Sequence, residues 1–261
     1  MALSLMPQWL QAKDPVNILA IDYMPYVGAE GLVTKLAGNY CQQHHDECRF
    51  LFLPPGRAVE HYGSAKYPLL LGTLQILPKE KQAISDIYPF IRFYPTAFYL
   101  QDQRTTNWQD LGYEDLKGME LTVGIVRGFE SEYRFFGEHL GLNVIKANTF
   151  QQLINLLVTN KIDLASGTLL SAHYHFEQYF PEHHQQVKFF KPYYEGVGGM
   201  VYLKDSRYAG QNIQAETFAL AHEQYRQMMV DYISRWPDLN PEDFFIKSIP
   251  TREETLQIGI D

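Results

Sequence analysis

Cysteine is scarce in this chain. Only Cys41 and Cys48 occur among 261 residues, so at most one internal disulfide can form. On an uninterrupted helix they would lie about 10 Å apart, beyond disulfide reach, so a bond requires the helix to end between them. His44 and His45 complete a C-x2-H-H-x2-C pattern that resembles zinc spacing, but four ligands from one short helix end would not surround an ion tetrahedrally. We therefore predict a disulfide or two free thiols, and no metal site.

Long apolar runs and clusters of basic residues are absent as well. No stretch approaches the ~20 apolar residues that cross a bilayer, so we do not expect an integral membrane protein. Lys and Arg number 22 against 30 Asp and Glu, which gives a net charge of -8. Without clustered cations, no nucleic-acid partner is expected. Residues 1–12, MALSLMPQWLQA, fit either the end of a secretory signal or a plain N-terminal segment.

Apolar and aromatic residues are plentiful. A hydrophobic content of 46% is ample for one large domain or two modest ones. The 18 Tyr and 16 Phe exceed what a core requires, and they suit a cleft that binds by stacking and hydroxyl hydrogen bonds. Ordinary core packing will still explain most of them.

The predicted order of strand, turn and helix occurs twice in the chain. From Val16 the chain gives a strand (VNILAI), a turn (DYMPYVGAEG), a helix from about Leu32 and a strand (CRFLFLP), which is typical of a parallel βαβ unit. A second start follows at DLKGMELTVGIVRG, residues 115–128, where Gly128 permits a tight turn before the helix FESEYRFFGEHL. Thr149 and Gln152 then fit a capping box, and an apolar stripe follows on that helix. Two lobes with a cleft between them are therefore predicted.

The last third of the chain is expected to return to the first lobe. The run VKFFKPYYEGVGGMVYLKD contains Gly196, Gly198 and Gly199, as a crossover with a hinge would. A long helix follows, and it has nowhere obvious to pack except the first lobe. The predicted organisation is residues 1–12 as a signal remnant, 13–102 as the first part of lobe one, 103–193 as lobe two and 194–261 as the return to lobe one.

In the order of its predicted strands and helices, the chain resembles the type II periplasmic solute-binding proteins. The resemblance is in particular to family 3, the amino-acid-binding subunits of ABC transporters. The segments that carry the resemblance are DYMPYV, GLVTKLA, LGTLQ, EDLKGMELTVGIVRG and LINLLVTNKIDLASG. It implies an α/β fold of two lobes, each a mixed, mainly parallel sheet flanked by helices, joined by two crossover strands. It also implies a periplasmic monomer without cofactor, with a small-molecule ligand and a membrane permease or sensor as partners.

The resemblance places candidate ligand-binding residues on both walls of the cleft. On lobe one these are Tyr23, Tyr26, Gly72 and Thr73. On lobe two they are Gly128, Phe129 and Ser131, near a helix start whose amides could hold an anion. For the two tyrosines, packing of the turn is an equal alternative. For Gly128, the alternative is a tight turn.

Two departures from the family limit the ligand. The arginine that clamps a carboxylate in the family has only Lys79 and Lys81 near its place, and lysine lacks the bidentate fork. The acid that holds an α-amino group falls at Thr168. A buried charge without a partner is costly, so a zwitterionic amino acid is disfavoured. Arg57 offers an alternative cation, unless it is a surface residue.

Three functions remain open at this stage. The leading one is a soluble binding protein that captures a small polar or aromatic ligand for an ABC-type importer and performs no catalysis. The second is an enzyme on the same scaffold, dehydratase-like or in cofactor synthesis, using His173, His175, Glu130 and Glu195 if they converge. No G-x-S-x-G, H-E-x-x-H or P-loop motif accompanies them. The third is a sensory binding module.

Overall fold

Two five-stranded sheets organise the part of the chain that the computed structural model describes, namely residues 15–43, 47–101, 108–209, 223, 226–227, 229–236 and 239–245. The strands are β1 (Val16–Ile21), β2 (Cys48–Leu53), β3 (Leu69–Gly72), β4 (Ser85–Phe93), β5 (Pro95–Leu100), β6 (Thr122–Val126), β7 (Asn143–Ala147), β8 (Leu164–Thr168), β9 (Val187–Phe189) and β10 (Gly196–Leu203). The first sheet has the order β2-β1-β3-β10-β4 and the second the order β7-β6-β8-β5-β9.

Each sheet combines a parallel half with an antiparallel half. In the first sheet β1 pairs in parallel with β2 and β3, whereas β10 is antiparallel to β3 and β4. In the second sheet β6 pairs in parallel with β7 and β8, whereas β5 is antiparallel to β8 and β9. The parallel halves come from the predicted strand–helix–strand units, and the antiparallel halves contain the strands next to the crossovers. The expected two-lobed α/β fold is confirmed.

Two crossovers join the lobes. β4 ends at Phe93 in the first sheet and β5 begins at Pro95 in the second, so Tyr94 alone separates them. The return runs from the end of β9 at Phe189 to the start of β10 at Gly196. The structure thus places the first change of sheet ahead of residue 103, where the sequence pattern begins lobe two. Because the extended, aromatic run is continuous, its sequence does not indicate at which residue it leaves one sheet and joins the other.

Six α-helices flank the sheets in the described ranges: α1 (Leu32–Gln43), α2 (Pro55–His61), α3 (Lys79–Ile84), α4 (Glu130–Tyr133), α5 (Phe150–Val158) and α6 (Leu169–Tyr179). α4 continues as a π-helical segment, Arg134–His139. Thr149 Oγ1 accepts a hydrogen bond from Gln152 N at 3.1 Å, so the predicted cap of α5 is confirmed. The buried apolar residues of that helix are the predicted stripe, Phe150, Leu153, Ile154 and Leu157. Within these ranges none of the helices could cross a membrane.

A disulfide joins Cys41 to Cys48, whose Cα atoms lie 6.0 Å apart. α1 ends at Gln43 and β2 begins at Cys48, so the helix does end between the two cysteines. The bond removes both thiolates from the C-x2-H-H-x2-C pattern, whose His44 and His45 lie outside the described residues. Across the described ranges, no cluster of three or more His, Cys, Asp or Glu could hold a metal ion.

The last described residues run across both lobes. Residues 229–233 are helical, and the Trp236 ring stacks on His173 of α6 with 5.2 Å between ring centroids. Because α6 follows β8 of the second sheet, the expectation that this helix packs on the first lobe alone is wrong. Tyr94 Oη, at the first crossover, donates a hydrogen bond to the Asp243 carbonyl oxygen at 2.6 Å. Residues 1–12 lie outside the described residues, as do Phe218, Ala221, Tyr225 and Met228, which are expected to share one face of the long helix predicted in the last third of the chain.

Candidate functional site

A small cavity lies between the two lobes, where β1, β3 and β8 end. Its volume is about 50 Å³. Its walls come from both lobes: Ile21, Tyr23, Tyr26, Val27, Val33, Gly72, Thr73, Ile91, Phe93, Phe129, Thr168, Gly198 and Gly199. Ligands of open α/β sheets bind outside the carboxyl ends of the strands, so this is the expected place for a site.

A hydrogen bond crosses the cleft beside this cavity. Tyr23 and Val27 exchange backbone hydrogen bonds of 2.8 and 2.9 Å, which form the turn after β1 and direct Tyr23 towards lobe two. There the Tyr23 hydroxyl oxygen accepts a hydrogen bond from the Thr168 backbone amide at 3.1 Å. Burial is the main cause that raises the pKa of Tyr23, so the phenol stays protonated. The lobes are therefore closed on each other at this point.

Gly128 forms a second contact between the lobes. Its φ of +100° lies in the left-handed region, which favours glycine. A Cβ at this position would lie 2.6 Å from Gly56 N and 3.1 Å from Gly56 Cα, at the start of α2 in lobe one. The turn that the sequence predicts at Gly128 thus also brings lobe two against the backbone of lobe one.

Aromatic rings fill the space around the cavity. The Tyr23 ring lies 5.2 Å from Phe129 and 5.5 Å from Phe150, both in lobe two. Tyr26 stacks on Tyr23 at 6.4 Å and meets Phe93 edge-on at 6.5 Å. Aromatic pairs stabilise a fold by more than their buried area alone provides. These rings therefore hold the lobes together and also form the wall of the cavity.

Two hydroxyl oxygens in this closed region are buried without a hydrogen-bond partner among the described residues. They are Tyr26 Oη of lobe one and Thr168 Oγ1 of lobe two. Burial is also the largest cause that raises the pKa of Tyr26, and the Thr168 side chain opposes it, so the two groups lie near each other. Buried polar groups without partners are uncommon and call for an explanation, such as a water or ligand group.

Gly72 and Thr73 complete the lobe-one wall. Gly72 pairs with Gly199 across β3 and β10, and a Cβ on Gly72 would touch Ile21 and Ile76 at 3.5 Å. Thr73 Oγ1 accepts a hydrogen bond from Gln75 N at 3.4 Å and caps the short 3-10 helix Leu74–Ile76. The Thr73 hydroxyl therefore has a local structural role.

The other candidates do not line the cavity. Lys81 Nζ donates to the carbonyl oxygens of Val59 at 2.7 Å and Tyr62 at 2.8 Å, so its ammonium group secures the end of α2. Arg57 is exposed on α2. Ser131 is buried and hydrogen-bonds the side chain of Tyr194 on the return crossover. The backbone position of each follows from the predicted elements, but the direction of its side chain does not.

The glycines expected to form a hinge lie inside β10 instead. Gly196, Gly198 and Gly199 are all in this strand, where the pairing with β4 shifts register between Gly198 and Gly199. A Cβ on Gly199 would run into the Tyr88 carbonyl oxygen. Glycine in a strand interior is a signal of a bulge or of close backbone approach, and here two of these glycines form the cavity wall.

Glu132 is a buried acid that sequence reasoning missed. Burial raises its pKa to about 8, while a hydrogen bond with Ser166 lowers it. Its Oε2 has no hydrogen-bond partner among the described residues. The carboxyl interacts electrostatically with Tyr23, Tyr193 and Tyr194. The available signal was its spacing three residues after Phe129, on the apolar face of a predicted helix.

The four groups that an enzyme hypothesis requires do not meet. They are His173, His175, Glu130 and Glu195, and none of them lines the cavity. His175 Nδ1 bonds the Ser171 carbonyl oxygen at 2.8 Å. Burial lowers the pKa of His173 and of His175 to about 4. Glu130 pairs with Lys146 at 3.2 Å, and Glu195 pairs with Arg92.

Solved structures of binding proteins share this fold. The GluR0 ligand-binding core from Nostoc punctiforme, in complex with L-glutamate, has a TM-score of 0.65 at 14% identity and covers 86% of this chain and 100% of its own. The amino acid ABC transporter substrate-binding protein AbpA from Streptococcus pneumoniae, bound to L-arginine, has a TM-score of 0.64 at 14% identity and covers 84% and 94%. A histidine kinase sensor domain with similarity to periplasmic binding proteins has a TM-score of 0.61 at 16% identity and covers 86% and 93%.

No protein-family model matches the chain, and neither does any curated protein sequence. At identities of 14 to 16% the likeness lies in the fold, and it confirms the two-lobed periplasmic-binding-protein architecture that the resemblance implies.

Proposed function

We propose that this protein is an extracytoplasmic solute-binding protein that captures a small molecule between its two lobes. The observation that carries the proposal is the hydrogen bond from Thr168 N to Tyr23 Oη, which joins the lobes beside a cavity lined from both sides. Such a bond forms only when the lobes close, and closure around a ligand is a recognised use of hinged two-lobed folds.

Several observations support binding without catalysis. The titratable groups that could act as acid or base have separate partners, and a general base must reach the proton it removes. The lining contributes rings, aliphatic groups and hydroxyls, which suit recognition.

Location outside the cytoplasm and the partner belong to the same proposal. The Cys41–Cys48 disulfide is the kind of bond that persists in oxidising compartments. For the partner, an ABC permease and a membrane sensor are both supported, because one structure with this fold is a transporter subunit and another a kinase sensor domain. A neighbouring permease gene would favour transport, and a neighbouring sensor kinase gene would favour sensing.

The proposal is tested by measuring closure directly. A panel of amino acids, aromatic acids, polyamines, alcohols and amides is screened by thermal shift, and each hit is examined by small-angle scattering. A ligand should raise the melting temperature with concentration and reduce the radius of gyration.

Tyr23→Phe then links binding to the interlobe hydrogen bond. This variant removes the oxygen that accepts the hydrogen bond from Thr168 N and leaves a buried amide without a partner. The affinity for a ligand found in the screen should therefore fall by roughly 5- to 30-fold. Tyr179→Phe is the matched control, because Tyr179 is exposed on α6. Equal affinities in both variants, or a panel in which no compound changes the scattering, would overturn the proposal.

A further inference from the structure

The wall of the interlobe cavity carries no charge among the described residues. Its lining side chains are aliphatic or aromatic, apart from hydroxyl groups and glycines. Of the hydroxyls, Tyr23 already accepts from the Thr168 amide and Thr73 from the Gln75 amide. Tyr26 Oη and Thr168 Oγ1 are the lining hydroxyls that have no hydrogen-bond partner among the described residues.

Two cations on neighbouring elements have other partners. The Lys81 ammonium group is bonded to carbonyl oxygens at the end of α2. Arg92, which follows the lining residue Ile91 on β4, forms an ion pair with Glu195. A ligand carboxylate in the cavity would therefore meet no free cation from these residues.

The buried acid behind the wall offers no anion either. Glu132 does not line the cavity but interacts electrostatically with Tyr23, which does, and burial raises the pKa of its carboxyl to about 8. The raised pKa favours the protonated, uncharged carboxyl at neutral pH. A ligand ammonium group would likewise meet no carboxylate among the described lining residues.

Resting on the binding function proposed above, we infer that the solute captured in the interlobe cavity is uncharged and largely apolar. A charge moved from water into this wall would lose its hydration without gaining a partner, whereas an apolar group would lose nothing. Discrimination against charged analogues then follows from their desolvation. A hydroxyl or amide on the solute has Tyr26 Oη and Thr168 Oγ1 as its partners.

The volume of the cavity limits the size of the solute. The closed cavity, at about 50 Å³, is smaller than the roughly 150 Å³ of an apolar cavity that admits benzene. A small aliphatic solute therefore matches the closed form better than a ring, which would require the lobes to stay further apart.

The test compares four compounds that share an isopropyl group and differ in charge: isobutanol, isobutyrate, isobutylamine and valine. Binding to the whole protein is followed by NMR of labelled methyl groups at Ile21, Val27, Val33 and Ile91, which line the cavity. Isobutanol should bind at least about tenfold more tightly than each charged compound, corresponding to about 1.36 kcal/mol or more of discrimination. The same comparison is made for neutral and charged members of the wider panel.

A variant locates the binding. Val33→Leu adds a methylene to the cavity wall and should weaken isobutanol binding, while Val158→Leu, on α5 away from the lining, should not. Equal effects of the two variants would overturn the assignment to this cavity.

The outcomes separate this inference from the binding function. If every solute that closes the lobes is uncharged, the inference is supported. If a charged solute binds as tightly as its neutral analogue or more so, the inference is overturned while capture by closure stands. If no compound closes the lobes, the binding function itself fails and the inference fails with it.

Discussion

Glu132 is the residue whose environment differs most from what its type favours. A carboxyl group with an unpartnered oxygen is retained under the aromatic wall of the cleft. Because burial raises its pKa to about 8, the folded protein binds a proton there that the unfolded chain releases above its ordinary pKa of about 4.3. Between these two values the folded state holds more protons than the unfolded state.

This difference gives a prediction about pH and stability. As pH rises from about 4.5 towards 8, Glu132 should lower the free energy of unfolding by up to roughly 1.4 kcal/mol per pH unit, and the effect should level off above the folded pKa. Glu132→Gln cannot titrate, so its stability should fall less steeply over this window. Denaturant unfolding at a series of pH values measures both slopes.

The control for this experiment is Glu138→Gln, because Glu138 is exposed. The buried histidines do not affect the comparison, since His173 and His175 are present in both proteins. Parallel stability curves for wild type and Glu132→Gln would show that Glu132 is charged in the folded state.

For single residues, the sequence predicts the location well where the course of the backbone alone determines it. Tyr23 lies two residues beyond β1 and Thr168 ends β8, and both line the cavity, while their part in binding stays a prediction. Sequence reasoning did less well with Lys81, whose long side chain reaches the carbonyl oxygens of α2. Glu132 was missed because its burial depends on lobe one packing over α4, a tertiary contact that no local pattern contains.

Among the elements, the turn between β6 and α4 has the sharpest steric requirement. Gly128→Ala would combine a strained positive φ with a contact against the Gly56 backbone. We expect it to open the lobes, giving a larger radius of gyration in scattering and a ligand affinity reduced by at least about tenfold, equivalent to about 1.4 kcal/mol.

Gly118→Ala provides the matched control for this prediction. Gly118 also has a positive φ, of +78°, but a Cβ added there would have no atom of a more distant residue within 4 Å. Both variants therefore carry a similar backbone penalty of about 1 kcal/mol, and only Gly128→Ala adds the interlobe clash. If both variants remain equally closed, the contact between Gly128 and Gly56 does not control closure.

The same stretch shows the limit of periodicity in predicting elements. The sequence FESEYRFFGEHL has helical spacing, and it is helical, but only Glu130–Tyr133 is an α-helix before the π-helical Arg134–His139. Leu140 N reaches back to the Phe135 carbonyl oxygen, a bond typical of the wider turn. α-helical and π-helical turns bury nearly the same residues over so short a length, so the apolar pattern does not separate them.

For the molecule as a whole, residues 229–236 and 239–245 act as a third connection between the lobes. Trp236 packs on His173 of lobe two, while Phe244 meets Tyr94 at the first crossover with 5.4 Å between ring centroids. These contacts should restrict how far the lobes separate, because opening must either carry the segment along or break its packing.

Trp236→Ala should therefore widen the range of opening in the ligand-free protein, and it should lower stability by about 3–5 kcal/mol, as for other buried aromatic truncations. The cysteines of the described chain are joined in the disulfide, so spin labels can be placed on cysteines introduced at the exposed Glu60 and Glu138. Their distance distribution by pulsed electron resonance should lengthen and broaden.

Trp108→Ala serves as the control, since Trp108 packs on Tyr99 within lobe two at 5.1 Å. It should destabilise the protein without changing the distance between the labels. An unchanged distance in Trp236→Ala would remove the C-terminal segment from the control of opening.

The large-scale architecture was the most predictable part of this protein. The repeated strand–turn–helix order, restarting at residues 115–128, already indicated two lobes, and the structure has two sheets of matching topology. Contacts between distant segments, such as Trp236 with His173, were beyond reach because they depend on how completed lobes meet.

The contact between Tyr94 and the end of the described chain suggests a practical use. Tyr94 is the single residue between β4 and β5, and its hydroxyl donates a hydrogen bond to the Asp243 carbonyl oxygen. A rotation at this joint should therefore be transmitted to residues 239–245, none of which lines the cavity. An environment-sensitive fluorophore introduced in that segment would report solute capture without occupying the site, and would turn the protein into a biosensor.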